Sequence, residues 1–540
     1  MATMLNFHPG IDHPMYRAIA PLPAAISSAA RPCFAYDLRN DTSHLPRLWF
    51  IAASTLLYEY NVLNNEWLQL ATPALNGISA GTGMVFDPLG GPAGTITSAA
   101  STSQFTINTA FPSAVGVNQL ANRGDGIGYR IRIMNCIAGG GQTEESTIVA
   151  NSGGTQPVIT VSPAFSFTPA NSARYEMLSG RVMLLSSTTV LWRKFDVACN
   201  YFASLSTTNM LAPPATDFAG CCLSEQYVPY SRKPGEGFVV GASTYANGTL
   251  NCLLATNSAA GTLTGQTAAG DYAITANRFR NFQIRIVEDT STPTAVGQRR
   301  RISSHTGGAA TTPVYTISAN WTVTPSTTCK YVIENPNDIF VFTGAAKVTY
   351  CYQGGFQADG AWSTSAADSG VAASAYAISP VRWADRGNNI GVGVTAMPNW
   401  GTVPDLQEGV KQSLLYSCRG GASTAIDCLD IAGGSVGVWA DTIVYGGLGL
   451  TWDVASCSAY DGATNQGRYH YLSRGTQQGY RFDVLNRVLE PFGYLPYAQG
   501  TAVTGDKVAT WLYIDGTTKL TFIIRNRESN TEMFATQAQC

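Results

Sequence analysis

Tyr129-Arg130-Ile131-Arg132-Ile133 and Phe282-Gln283-Ile284-Arg285-Ile286 are one motif written twice. In each, bulky apolar residues alternate with polar ones, the period-two signature of a strand with one buried and one wet face. The likeness continues downstream. Gly141-Gln142 matches Gly297-Gln298, Pro157-Val158 matches Pro313-Val314, Val161-Ser162 matches Ile317-Ser318, Thr168-Pro169 matches Thr324-Pro325, and Tyr175 matches Tyr331, all at an offset of 156 residues. A constant offset over such a length marks a duplicated supersecondary unit. The segments 93–180 and 261–338 therefore read as two copies of one small β-domain, with Gly, Pro and Asn clusters as turns between strands.

A second repeat surrounds the first. Leu57-Tyr58-Glu59-Tyr60-Asn61-Val62, followed by Asn65, Trp67 and Leu70, lines up with Trp192-Arg193-Lys194-Phe195-Asp196-Val197, followed by Asn200, Phe202 and Leu205. Tyr480-Arg481-Phe482-Asp483-Val484 is a weaker echo, and Leu429-Asp430-Ile431 weaker still. The pattern is an apolar strand, an aromatic-Asp/Asn-Val corner, a turn, and an aromatic that packs back. Gly pairs end strands at Gly354-Gly355, Gly420-Gly421 and Gly446-Gly447. In these features the chain resembles kelch-type β-propellers, whose blades carry a strand ending in Gly-Gly and a later aromatic packed against it. The resemblance implies an all-β fold: a propeller-like body of kelch-type blades with two inserted, mutually similar small β-domains. The expected division is an extended N-terminal arm at 1–45, a first blade-like segment at 46–92, insert A at 93–180, a blade-like segment at 181–260, insert B at 261–338 and the remaining blades at 339–540.

Composition agrees with many short strands. Only 13% of the 540 residues are charged, while hydrophobic residues make up 45% and glycines number 54. That mixture disfavours long surface helices and general disorder. A formal net charge of -2 offers no basic field for nucleic acid. The N-terminus lacks a basic segment followed by an apolar run, and no stretch approaches the length of a membrane-spanning helix, so a soluble, cytosol-made product is expected. The 12 cysteines form no CxxC pair. Most read as small buried hydrophobes of strands, and Cys540, the last residue, is a candidate inter-subunit contact.

The inserted modules look like small β-domains that decorate virion proteins of tailed bacteriophages. The closing stretch, with Asp483-Val484, Pro491-Phe492-Gly493-Tyr494-Leu495-Pro496, Gly505-Asp506-Lys507, Leu512-Tyr513-Ile514-Asp515-Gly516 and Ile523-Ile524-Arg525, is similar to the C-terminal blade of phage structural propellers. The resemblance implies a non-catalytic virion component of the tail, neck, collar or capsid exterior. It would be made in the host cytoplasm, assembled in several copies and joined to other virion proteins, with no cofactor, nucleic acid or membrane as partner. The alternative is a tail protein that binds or depolymerises host-surface polysaccharide. Its site would be the stretch 354–410, where Trp362, Trp383 and Trp400 are candidate carbohydrate contacts by stacking on sugar rings.

Few motifs suggest chemistry. His8 and His13 flank Asp12 in a Pro-rich arm poorly suited to converging metal ligands. Phosphate-cradle, nucleophile-elbow and zincin signatures are missing from the sequence. Arg299-Arg300-Arg301 is read in two ways: a solvated strand edge that discourages pairing, or an ion-pair contact with an acidic neighbouring subunit. Arg123-Gly124-Asp125 spells an adhesion tripeptide that three residues alone do not establish.

Overall fold

The computed structural model describes residues 17–21, 33–36, 47–53, 56–61, 64–70, 83–87, 90–99, 101–124, 126–185, 192–205, 218–223, 252–257, 262–265, 283–305, 314–317, 320–326, 329–334, 339–343, 349–352, 392–397, 412–418, 425–430, 438–444, 457–460, 469–473, 478–483, 488–494, 508–515, 518–526 and 533–537. Among these the regular structure is all β, with a single 3-10 turn at Pro293–Ala295. The strands form six open antiparallel sheets and two closed barrels.

The first sheet runs β2 (Cys33–Tyr36), β3 (Arg47–Ala53), β4 (Leu56–Asn61), β5 (Glu66–Gln69). The second is β6 (Gly83–Asp87), β13 (Arg181–Leu185), β14 (Trp192–Asp196), β15 (Tyr201–Leu205), and the third is β16 (Phe218–Leu223), β23 (Ile339–Thr343), β24 (Thr349–Tyr352). The fourth is β25 (Val392–Met397), β26 (Gln412–Cys418), β27 (Ala425–Asp430), β28 (Val438–Val444). The fifth is β29 (Cys457–Tyr460), β30 (Tyr469–Ser473), β31 (Gln478–Asp483), β32 (Val488–Tyr494). The sixth, β33 (Val508–Asp515), β34 (Thr518–Asn526), β35 (Met533–Gln537), is completed by β1 (Arg17–Ile19), with Ala18 opposite Phe534. The first strands adjoin one another in a cycle: β2 beside β6, β6 beside β16, β16 beside β25, β25 beside β29, β29 beside β33, and β33 back beside β2. Pairing the two ends of the chain in one sheet closes such a ring and covers an edge otherwise open to foreign strands.

Of the segment 1–45, the described strands β1 and β2 join sheets of the chain itself. The Ala20 amide donates to Asn65 Oδ1 at 2.9 Å, and Trp67 Nε1 donates to the Ala20 carbonyl at 3.0 Å.

The barrels interrupt the second and third sheets. Barrel A comprises β7 (Ala93–Ala99), β8 (Gln104–Ile107), β9 (Arg130–Met134), β10 (Thr143–Asn151), β11 (Val158–Ser162) and β12 (Arg174–Met177). Barrel B comprises β17 (Cys252–Asn257), β18 (Thr262–Gly265), β19 (Gln283–Glu288), β20 (Arg299–His305), β21 (Val314–Ile317) and β22 (Lys330–Glu334). Its first strand lies upstream of the boundary expected at 261. The two close in the same strand order and the same register. Tyr175 faces Ile133 in one, and Tyr331 faces Ile286 in the other. Ile159 faces Phe105, as Tyr315 faces Leu263. Bulges recur at matching places, at Ile148/Ala150 and Ile302/Ser304, and at Ile96/Ser98 and Leu254/Thr256. A register shift of one residue turns every side chain to the other face, so shared bulges keep both cores inward. Ile131, Ile133, Ile148 and Tyr175 fill barrel A, and Ile284, Ile286, Ile302 and Tyr331 fill barrel B.

The second repeat also has a structural meaning. Tyr60 sits opposite Trp67 with ring centroids 4.9 Å apart, and Phe195 opposite Phe202 at 4.7 Å. Asn65 and Asn200, in the intervening turns, both take left-handed backbone, φ 53 and φ 47, a conformation Asn tolerates better than most residues. Phe482 faces Leu489 at the corresponding place in the fifth sheet. Trp49 stacks on Phe86 at 4.4 Å, joining the first two sheets through a core that includes Leu57, Val182 and Phe195.

Candidate functional site

Barrel A leaves the hairpin between β6 and β13, where Asp87 and Arg181 lie directly opposite. Their side chains are buried and paired, Arg181 Nε to Asp87 Oδ2 at 3.1 Å. Gly90 passes over this arginine so closely that a Cβ would lie 2.3 Å from its side chain. The barrel is tied to the sheets at two further points. Arg47, ion-paired with Glu59 at 3.3 Å, donates to the Arg123 carbonyl, and Gln119 Nε2 donates to the Ala198 carbonyl at 2.8 Å. Ala198 and Cys199, at the end of β14, complete the barrel core. Burial pushes the Cys199 thiol up to about 12, with Asp196 adding to the rise, so it stays protonated.

The most charged buried place among the described residues is the joint between the barrels. On barrel A, one row across β10, β9 and β12 reads Glu145, Arg132, Glu176, each residue opposite the next. The matching row across β20, β19 and β22 of barrel B reads Arg299, Arg285, Val332. Arg132 donates to Glu145 at 2.5 and 2.8 Å and to Glu176 at 3.2 Å, while Arg130 reaches Glu145 at 2.6 Å. From barrel B, Arg299 Nη2 crosses to both oxygens of Glu176, at 2.6 and 2.7 Å. Burial pushes both carboxyls up, but the surrounding arginines prevail. Arg132 and Arg130 hold Glu145 at about 2, and Arg299 and Arg132 hold Glu176 below the usual carboxylate range, with Arg285 contributing at both. Charged groups are retained in such a dry place only when partners are supplied from every side.

Backbone contacts complete the joint. The Asp289 amide of barrel B donates to the Gly141 carbonyl of barrel A at 2.8 Å. Gly141, at φ +110, sits so close that a Cβ would lie 2.4 Å from the Asp289 carbonyl oxygen, and one on Gly297 (φ +85) would lie 2.9 Å from Met134 Sδ. Asp289 is itself fixed by Ser326, whose amide and hydroxyl both donate to it at 2.7 Å.

Several sequence expectations change here. Arg132, read as lying on a wet face, is buried because barrel B covers it. Arg299, Arg300 and Arg301, read as a solvated edge or an inter-subunit contact, are buried at 2%, 2% and 5% exposure. Arg299 does find an acidic partner, but in the same chain. Arg300 lies 5.2 Å over the Trp321 ring and donates to the Asn320 carbonyl at 2.8 Å. The side chain of Arg123, the first residue of the tripeptide, is also buried. Cys540, Trp362, Trp383 and Trp400 lie outside the described residues, as does His8 to His13. Among the described residues no group of three or more metal-binding side chains converges, and no helix is long and apolar enough to cross a membrane. Glu145, Glu176 and Arg285 went unsingled by sequence. Their signal, opposite charges at equivalent places of the two copies, is hidden because the strands around them align only after the bulges are placed.

No family model and no curated protein matches the chain. Among solved structures it is similar to Chaetomium thermophilum Raptor at 7% identity and TM-score 0.30, covering 97% of this chain and 30% of that one. A Penicillium chrysogenum alpha-L-arabinanase complexed with arabinobiose matches at 8% identity and TM-score 0.29, covering 97% and 99%. BBS1N in complex with ARL6DN matches at 8% and 0.24, covering 84% and 95%. Scores this low bear no weight on function.

Proposed function

We propose that this chain is a non-catalytic structural component of a tailed-bacteriophage particle, in the tail, neck or collar or as a capsid accessory. In this reading the six sheets are kelch-like propeller blades, and the two barrels are arms held over the second and third of them. Other virion proteins and further copies of the chain are its partners. The observation that carries the structural role is the joint itself: the densest buried set of charges described joins duplicated modules to each other. The cyclic adjacency of the first strands and the completion of the sixth sheet by β1 support the propeller. The phage assignment rests on the sequence resemblance of the inserts and the closing stretch. Quantitative mass spectrometry of purified particles tests it, with the chain expected at one fixed symmetric copy number. Its absence from particles would overturn this reading, whereas release of reducing sugar from host polysaccharide by the purified chain would replace it with the polysaccharide-directed one.

A further inference from the structure

The barrels are alike in register and core yet opposite in charge on the faces that meet, and this difference decides which module pairs with which. The row on barrel A is acid, base, acid; the equivalent row on barrel B is base, base, apolar. Barrel B therefore presents Arg299 where barrel A carries Glu145. In the joint that arginine meets Glu176. If two copies of barrel A met through the same face, Glu145 would stand where Arg299 stands and oppose Glu176. If two copies of barrel B met, Arg299 would confront Val332 and lose its carboxylate. Like charges brought together in a dry interface strongly disfavour contact, as does a buried arginine deprived of its acid. Only the unlike pairing satisfies both faces.

We infer that Glu176 and Arg299 are the determinants of barrel pairing: the duplicated module has diverged into a self-excluding, charge-complementary pair, so the face accepts the chain's own second barrel and rejects a like barrel from another copy. The inference does not depend on the virion reading. In a multi-copy assembly it keeps the barrel faces out of the contacts between chains, which must then use other surfaces.

The full-length chain supports a direct test. Arg299→Glu gives barrel B an arginine–carboxylate pair with Arg285, the arrangement barrel A already builds with Arg132 and Glu145, so the barrel has a precedent for folding. The joint, however, would oppose the new carboxylate to Glu176. Hydrogen–deuterium exchange read by mass spectrometry follows the Asp289 amide, which bonds across the joint, against the Ile286 amide, which bonds to the Gln298 carbonyl within barrel B at 3.0 Å. Arg299→Glu is expected to speed Asp289 exchange by about tenfold or more and leave Ile286 unchanged. Adding Glu176→Val, the residue barrel B uses at that place, removes the opposing charge and should return Asp289 to within about threefold of the parent. Unchanged exchange in Arg299→Glu, a parallel rise at Ile286, or failure of the second substitution to restore protection would each overturn the inference.

Discussion

Replacing Asp87 by alanine removes the carboxylate that faces Arg181 at the root of barrel A. Arg181 is fully buried, at 0% exposure, and its Nε lies 3.1 Å from Asp87. The guanidinium cannot swing to water, because β14 flanks β13 on one side and Gly90 presses on the arginine stem. Losing one partner of a buried pair costs about 3–5 kcal/mol when the charge is left alone; Asp196, buried and directly opposite Arg181 on β14, stays beside it, so the lower end, about 3 kcal/mol, is expected. Replacing both, with Asp87→Ala and Arg181→Met, removes the pair and keeps most of the stem's packing, leaving Asp196 to Lys194 at 3.6 Å, and should recover more than about half of the loss. Urea unfolding gives the global loss, and amide exchange in β13 locates it. A loss below about 1 kcal/mol for Asp87→Ala, or a double variant as unstable as the single one, would refute the reasoning.

Glu145 predicts an acid limb. Its carboxyl is held at about 2 against an ordinary 4.5, so its contribution is fully present above 4.5 and is lost as pH falls through about 2. That gap corresponds to at most about 3 kcal/mol, less some screening at a side chain 20% exposed. Glu145→Gln should therefore flatten the stability curve between pH 5 and 2, measurable by chemical unfolding across that range; an unchanged slope contradicts the assignment. Asn200→Gly should be neutral within about 0.5 kcal/mol, because glycine takes positive φ freely, whereas Asn65→Gly should cost about 1 kcal/mol or more by losing the bonds from Tyr60 and Ala20. Thermal unfolding of the two variants separates them. Gly128→Ala would place a Cβ 1.7 Å from the Ile148 carbonyl oxygen, so barrel A should lose exchange protection at Tyr129 and Ile148, while Gly126→Ala, which meets no atom but sits at φ +81, should cost only about 1–2 kcal/mol of backbone strain and leave those amides protected.

Much of this architecture is written locally. Alternation in Tyr129–Ile133 and Phe282–Ile286 set the strands and their inward faces, and the matching offset marked two copies of one unit. The aromatic-Asp/Asn-Val corners likewise announced a repeated turn whose asparagines take left-handed backbone. These features are legible because backbone period, turn chemistry and apolar spacing act over a few residues. The joint was not legible in this way. Nothing next to Arg132 in sequence says that a second barrel covers it, and Arg299–Arg301 carry the composition of a solvated edge.

By itself, then, the sequence determined that this protein is made of β-strands, that one module occurs twice, and which apolar residues of the repeated strand face inward. Only tertiary structure decided that β1 completes the last sheet and that the copies face each other. It alone brought Arg299, Arg132 and two scattered glutamates into one ion-paired network across the joint. The physical reason is range: hydrophobic period is a property of neighbours along the chain, whereas the sign of a charge gains meaning from whatever folding brings within a few ångströms of it.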